Sequence, residues 1–303
     1  LNEVKALLPP QLSRLPGAID GLINLNEIAG VLAWIVPLLA AATFGYRRQL
    51  WHSERWTSRV AFLILAICLA INLFVLLATR SRGGLVSVAA AILVMLAIEY
   101  AWGRWLLLAG LIAALFLVFS FGPEQLLSDS PDAVESLGLQ ARMEIWSRGF
   151  YALEDYPLTG TSMNGFRRIV PVFYPLTVLP LDRDIGHAHN HLLQAGLDLG
   201  ILGLIAYLAA WFLSGGLLWQ GLRRRGTESL RLRPLLIGLV GALTGGWVFG
   251  ILDAIALGAR PGFIWWLLLA LVAASTMILS QKSPHERAAD ERQRSPAMNE
   301  NQG

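Results

Sequence analysis

Apolar residues dominate seven stretches of the chain, separated by short polar turns and by one long mixed segment. The stretches cover residues 28–45, 60–78, 84–99, 105–121, 192–219, 235–256 and 262–280. Most approach the ~20 residues that a helix needs to cross a hydrocarbon layer of ~30 Å. They do not alternate apolar and polar positions as the strands of a membrane barrel would. Backbone groups in lipid must find partners within their own segment, so the pattern predicts helices. The expected fold class is all-α: a polytopic helical membrane protein of about seven transmembrane helices with one large external loop.

Composition agrees and narrows the choice. Hydrophobic residues make up 55% of the 303 and charged residues only 15%, and mean hydropathy is +0.55. A soluble domain carries roughly a quarter charged residues. The net charge of +3 says less than its placement. The single cysteine, Cys68, lies within the second stretch and reads as a small buried hydrophobe.

Charge placement orients the chain. Arg47, Arg48, Arg55 and Arg59 crowd the turn after the first span, and Arg223, Arg224, Arg225, Arg231 and Arg233 the turn after the fifth. Lys and Arg in short loops mark the cytoplasmic side. Counting spans puts both turns on that side and the acid-rich segment 122–191 on the other. The expected organisation is an external segment 1–27, helices over 28–121, an external loop with helices of its own over 122–191, helices over 192–280 and a disordered cytoplasmic tail 281–303. The chain starts at Leu1 with a loop-like stretch, which suggests that helices belong upstream. Within the loop, Ser130-Pro131 offers a helix start. Leu139, Met143, Trp146, Phe150 and Leu153 then form an apolar stripe, and Pro157 and Gly160 end the helix.

Chemistry concentrates at the external face. Arg80 and Arg82 flank a turn leading into Gly83-Gly84, Arg260 occupies another external turn, and Arg142 sits beside the loop helix stripe. Single arginines at span ends snorkel to lipid phosphates. The pair beside adjacent glycines points instead to a phosphate-bearing ligand, which guanidinium binds in bidentate fashion. Three of the five histidines fall in "GHAHNHLLQ", as His187, His189 and His191. A metal site could draw on these with Asp184 or Asp198, though no recognised zinc spacing is present. Interfacial packing suits His187 and His191. A general base suits His189, because imidazole titrates nearest neutrality and Asn190 behind it is a helix cap. Asp198 and Asp253 are carboxylates within or near spans and so functional candidates. Asp198 lies close enough in sequence to accept a bond from an imidazole. "DRD", Asp182 to Asp184, weakly resembles the aspartates with which glycosyltransferases bind metal. The absence of a P-loop or dinucleotide fingerprint argues against nucleotide-driven chemistry.

Four stretches in this order resemble the O-antigen ligase and lipid-linked polysaccharide polymerase superfamily: "NLNEIAGVLAWIVPLL", "TRSRGGLVSVAAAILVMLA", "RMEIWSRGFYALEDYPLTGTSMNGF" and "HAHNHLLQAGLDLGILGLIAYLAAW". The resemblance implies a helical glycosyltransferase of the GT-C type at the periplasmic or extracellular face of a bacterial inner membrane. It would take a glycan from an undecaprenyl diphosphate carrier to the hydroxyl of a glycan or lipid A-core acceptor, with no metal, no cofactor and no nucleic acid. Position by position, it implies His189 as base and Arg82 and Arg142 as diphosphate ligands; Arg80 and Arg260 are further candidates from their external placement. Asn190, His187 and Asp198 would support them. A polymerase of the same superfamily uses the same donor with a different acceptor. A solute transporter is the alternative from another class; it predicts charges deep in several spans, and apart from Asp198 and Asp253 the interiors hold almost none.

Overall fold

The computed structural model describes residues 25–127, 139–177, 185–255 and 257–280. Residues 1–24, the Ser130-Pro131 helix start, Asp182 to Asp184 and the tail from 281 lie outside the described residues, as does the side chain of Arg260. The described chain is helical, with seven helices long and apolar enough to cross a membrane. In chain order these are α1 (Leu25–Trp51), α2 (Trp56–Thr79), α3 (Arg82–Glu99), α4 (Ala101–Leu127), α7 (His191–Arg223), α8 (Thr227–Leu252) and α9 (Phe263–Ser280). Two shorter helices, α5 (Leu139–Asp155) and α6 (Phe166–Phe173), lie in the long segment between α4 and α7.

The bundle is built around α1 and α8, whose spans are the most buried. Small residues let them approach closely: a Cβ on Gly245 would run into the carbonyl of Ala33, and one on Gly246 into the indole of Trp34. Close backbone approach through small residues is a usual basis of helix association where lipid removes the hydrophobic drive. On one flank, Leu32, Val36, Leu69, Leu76, Val88 and Phe249 bind α1 and α8 to α2 and α3. On the other, Trp34, Trp211, Leu218, Leu236, Leu239, Trp265 and Leu268 bind them to α7 and α9. The most apolar stretch of α4 buries none of its residues, and Phe116 and Phe119 point outward from it.

Alternate ends of the bundle gather alternate turns. The start of α1, the α2–α3 turn, the segment between α4 and α7, and the α8–α9 turn share one end, here the site end. α5 packs on α7 there, but not through the stripe that spacing suggests. Met143 and Phe150 are exposed, while Ala141, Ile145, Gly149 and Ala152 face the core beside Leu193 and Leu197. Trp146 and Leu153 pack at the margin of that cluster. Size explains the rotation: a Cβ on Gly149 would already lie 2.9 Å from Leu193, so Met143 and Phe150 turn outward while Trp146 and Leu153 stay at the margin.

Helix α7 bends at Gly200, whose φ of 73° and ψ of −177° are not helical. The segment after α5 fills the break. Leu197 accepts bonds from the Thr161 amide at 2.6 Å and hydroxyl at 3.0 Å, and the Ile201 amide donates to Pro157 at 2.8 Å. A break in the helical ladder leaves orphan groups that lipid cannot satisfy, and this segment satisfies them. Two left-handed glycines, Gly160 and Gly200, make the crossing possible, since a Cβ on either would collide with the backbone of the facing segment.

Candidate functional site

The site forms where the start of α7 meets the end of α8. Asn190 is the N-cap of α7, its Oδ1 accepting from the amides of Leu192 and Leu193, each at 3.0 Å. Its Nδ2 donates to the carbonyl of Ile251 at 3.0 Å. One amide side chain therefore closes one helix and bolts it to the last turn of another. A cap satisfies amides that a helix start otherwise leaves unpaired.

The residues on either side of this bolt face each other. His189, just before the cap, has a φ of 50°, an uncommon left-handed backbone for a side chain other than glycine. Asp253, just after Leu252, is the C-cap of α8. Nδ1 of His189 lies 3.0 Å from Oδ1 of Asp253. The same oxygen accepts the Ala254 amide at 2.7 Å, and Oδ2 accepts Nδ2 of Asn26 at 2.6 Å. Burial alone would push the Asp253 carboxyl up. The His189 bond and charge, the His187 charge and the Ala254 amide outweigh it and hold the group at about 2. In the neutral imidazole, such a carboxylate favours the tautomer that donates Nδ1–H to Asp253 and keeps the lone pair on Nε2.

His187 is a neighbour of a different sort. Its Nδ1 accepts the His189 amide at 3.3 Å and stands 3.7 Å from Oδ1 of Asp253. Burial and the nearby His189 press its imidazole down to about 4, against the pull of Asp253, so it is neutral at physiological pH. The third histidine, His191, is buried among Tyr207, Trp211 and Trp247, its Nδ1 2.9 Å from the Tyr207 hydroxyl. It packs on Gly250, where a Cβ would lie 2.6 Å from its ring. His191 packs among these aromatic rings, while His187 packs on the ring of His189, centroids 4.3 Å apart.

The arginine turn is tied to the same carboxylate. Ser81 caps α3 by accepting the Gly84 amide at 3.2 Å and donates to Oδ1 of Asn26 at 2.6 Å. The chain Ser81–Asn26–Asp253–His189 thus runs from the α2–α3 turn to the imidazole. Arg80, in a left-handed C-cap conformation, and Arg82, at the first position of α3, flank Ser81 and are exposed. Arg142 on α5 is buried, and its Nε has no hydrogen-bond partner among the described residues. Its neighbour Ala141 shares a cluster with Ala188, which precedes His189. A buried guanidinium with an unpaired N–H is a ready partner for an anion.

Asp198 stands apart from the imidazoles. Its Oδ1 accepts Nε2 of Gln194 at 2.8 Å and the Asn164 amide at 3.3 Å. The carboxylate beside His189 is Asp253, 64 positions away in sequence. Only tertiary packing distinguishes the two acids. Asn26 carried a weak sequence signal, as one of two asparagines, with Asn24, at the entry of an apolar run. His187, His189 and Asp253 also bring three donor atoms within 4.8 Å of one another, the one such group among the described residues that could hold a metal ion.

Residues 67–208 match the family described as O-antigen ligase. Over that stretch, just under half of the chain, the protein is similar to the O-antigen ligases. No curated protein matches the chain. The O-antigen ligase match covers Arg80, Ser81, Arg82, Arg142, His187, His189, Asn190 and Asp198. Asn26 and Asp253 fall outside its bounds, on the two central helices. The seven long apolar helices suit an integral membrane protein, and Asn26 and Asp253, both outside the matched stretch, hold its central histidine in place.

Proposed function

We propose that this protein transfers a glycan from an undecaprenyl diphosphate carrier to an acceptor hydroxyl at the periplasmic face of a bacterial inner membrane, as a GT-C-like glycosyltransferase. The observation that carries the reading is the 3.0 Å pairing of His189 with the fixed carboxylate of Asp253. With Nδ1 protonated toward Asp253, Nε2 removes the proton of an acceptor hydroxyl as its oxygen attacks the anomeric carbon. The anomeric bond to the carrier breaks, the lipid diphosphate leaves with the bonding pair, and direct displacement inverts the centre. Arg82 and Arg142 stabilise the charge that develops on the diphosphate, with Arg80 and Arg260 as outer contributors. Preorganised donors at such a position act without reorganisation during the reaction. The acceptor is a lipid A-core saccharide if the enzyme is a ligase, and a second lipid-linked chain if it is a polymerase. No step requires a metal or a cofactor.

The test follows release of undecaprenyl diphosphate from a lipid-linked glycan in proteoliposomes. Wild type transfers with or without EDTA. His189→Ala and Asp253→Asn lose roughly 10²–10⁴-fold, the usual worth of a positioned base. Loss of wild-type activity with EDTA would transfer the role of the histidines and Asp253 to a metal. Full activity in His189→Ala would remove the base.

A further inference from the structure

A second polar feature lies beside the histidine segment and has no part in holding His189. Ser162, Met163, Asn164, Gly165, Arg167, Arg168 and Gly186 line a cavity of about 400 Å³ at the site end. Three features make it more than a surface dent.

The cavity is framed by a buried polar relay. Gln194 and Asp198, both on the short first part of α7, are almost wholly inaccessible. Gln194 accepts the Ala188 amide at 2.8 Å and donates to Asp198, which accepts the Asn164 amide. The relay fixes one wall through Asn164 and the other through Ala188, two residues after Gly186. Burying such a pair is costly unless it is satisfied, and here its bonds go to the two cavity walls. Oδ2 of Asp198 is left without a partner among the described residues.

The wall itself is strained. Ser162 has a φ of 74° and Asn164 a φ of 57°, two side-chain-bearing residues in the left-handed region within three positions. Strain of this kind persists where surrounding structure over-determines it and gathers at ligand clamps. Finally, the cavity carries Arg167 and Arg168, both accessible. Gly186 opens onto space: a Cβ added there would meet nothing within 4 Å.

Position sets the ligand. Gly186 is three residues from His189, so their Cα atoms are at most about 11 Å apart. The arginine turn between α2 and α3 reaches the base through Asn26 and Asp253. The cavity connects to it by a separate route, along the histidine segment through Gly186 and Ala188. Two basic clusters joined to one base by separate routes suit the two substrates of a transfer. We infer that this cavity is the acceptor subsite, and that Arg167 and Arg168 bind a phosphate or carboxylate on the acceptor saccharide. The inference rests on the transfer reading above for its identification as acceptor rather than donor.

Two measurements on the full chain in nanodiscs test it. The first is calorimetric binding of a delipidated, phosphorylated core oligosaccharide, compared with the same oligosaccharide after phosphatase treatment. Wild type binds the phosphorylated form at least about tenfold more tightly, and Arg168→Gln or Gly186→Trp removes the difference. Both substitutions fall at accessible positions, so folding is retained. The second is transfer kinetics, in which Arg168→Gln raises the acceptor KM at least about tenfold and leaves the donor KM in place. Equal binding of both oligosaccharides by wild type, or a raised donor KM with the acceptor KM unmoved, overturns the assignment. If wild type transfers no glycan but the binding difference stands, the transfer reading fails while the anion site survives.

Discussion

Nδ2 of Asn26 donates to Oδ2 of Asp253 at 2.6 Å, across 227 positions of sequence. This bond holds the carboxylate in the orientation that presents Oδ1 to His189. A hydrogen bond to a charged group is worth roughly 1.5–3 kcal/mol. Asn26→Ala therefore lowers the transfer rate about 10- to 100-fold, less than Asp253→Asn does. Single-turnover rates in proteoliposomes compare the two, and an Asn26→Ala enzyme as fast as wild type would leave the orientation of Asp253 to Ala254 alone.

The contact of His191 with Gly250 places the end of α8 against the start of α7. Gly250→Ala would force the ring and the helix apart, and overpacking of this kind costs roughly 1–3 kcal/mol. It would also move Asp253, three residues on. Gly250→Ala reduces both thermal stability and activity, and a second substitution, His191→Ala, restores part of the activity by making room. Activity that falls further in the double variant than in either single variant contradicts this wedge.

Gly200 adopts a backbone that is essentially restricted to glycine, and the carbonyl of Leu158 fills the space where a Cβ would go. Gly200→Ala expels the 157–161 segment from the helix break and strands the carbonyl of Leu197 and the amide of Ile201. Proteolysis in the segment after α5 should accelerate sharply. Gly215, around which a Cβ would meet nothing, is the matched control, and Gly215→Ala leaves the rate unchanged.

Acid should weaken the folded state in two separate windows. His187 has its native value pushed down to about 4, below the ~6.5 of a free imidazole. Between these values the unfolded chain binds a proton that the native site refuses, so stability is full above about 6.5 and falls as pH drops toward 4. Asp253, held at about 2, contributes lower in pH: its stabilisation is present above ~4 and lost as pH falls toward 2. The melting temperature of the detergent-solubilised protein at pH 7.5 and 5 reads the first window, with a fall of a few degrees. His187→Gln should flatten it. A drop that persists in His187→Gln belongs to another group.

The extent to which sequence reveals this protein varies with distance along the chain. Membrane helices follow from apolar runs alone, because lipid leaves the backbone no alternative to internal pairing. Local chemistry is equally readable: Asn190 is a cap by residue type and place, and Pro157 and Gly160 mark the end of α5 near Asp155. The face of α5 is less so. Its large residues suggest a stripe that packing rotates, leaving Trp146 and Leu153 at the margin of the core and Met143 and Phe150 outside it, since Ala141, Gly149 and Ala152 allow the closer approach.

Nothing local singles out Asp253 over Asp198 as the partner of His189. Asp198 lies far nearer in sequence, yet it bonds to Gln194 one turn back on the same helix and to the Asn164 amide. Apolar runs, charge and residue type are enough to specify a seven-helix membrane protein, its arginine turns and a histidine at a helix start. Which of those groups meet is a matter of packing. Hydrogen bonds such as Asn26 to Asp253 depend on how helices cross, and the crossing is set by small-residue contacts between α1 and α8 that no single segment encodes.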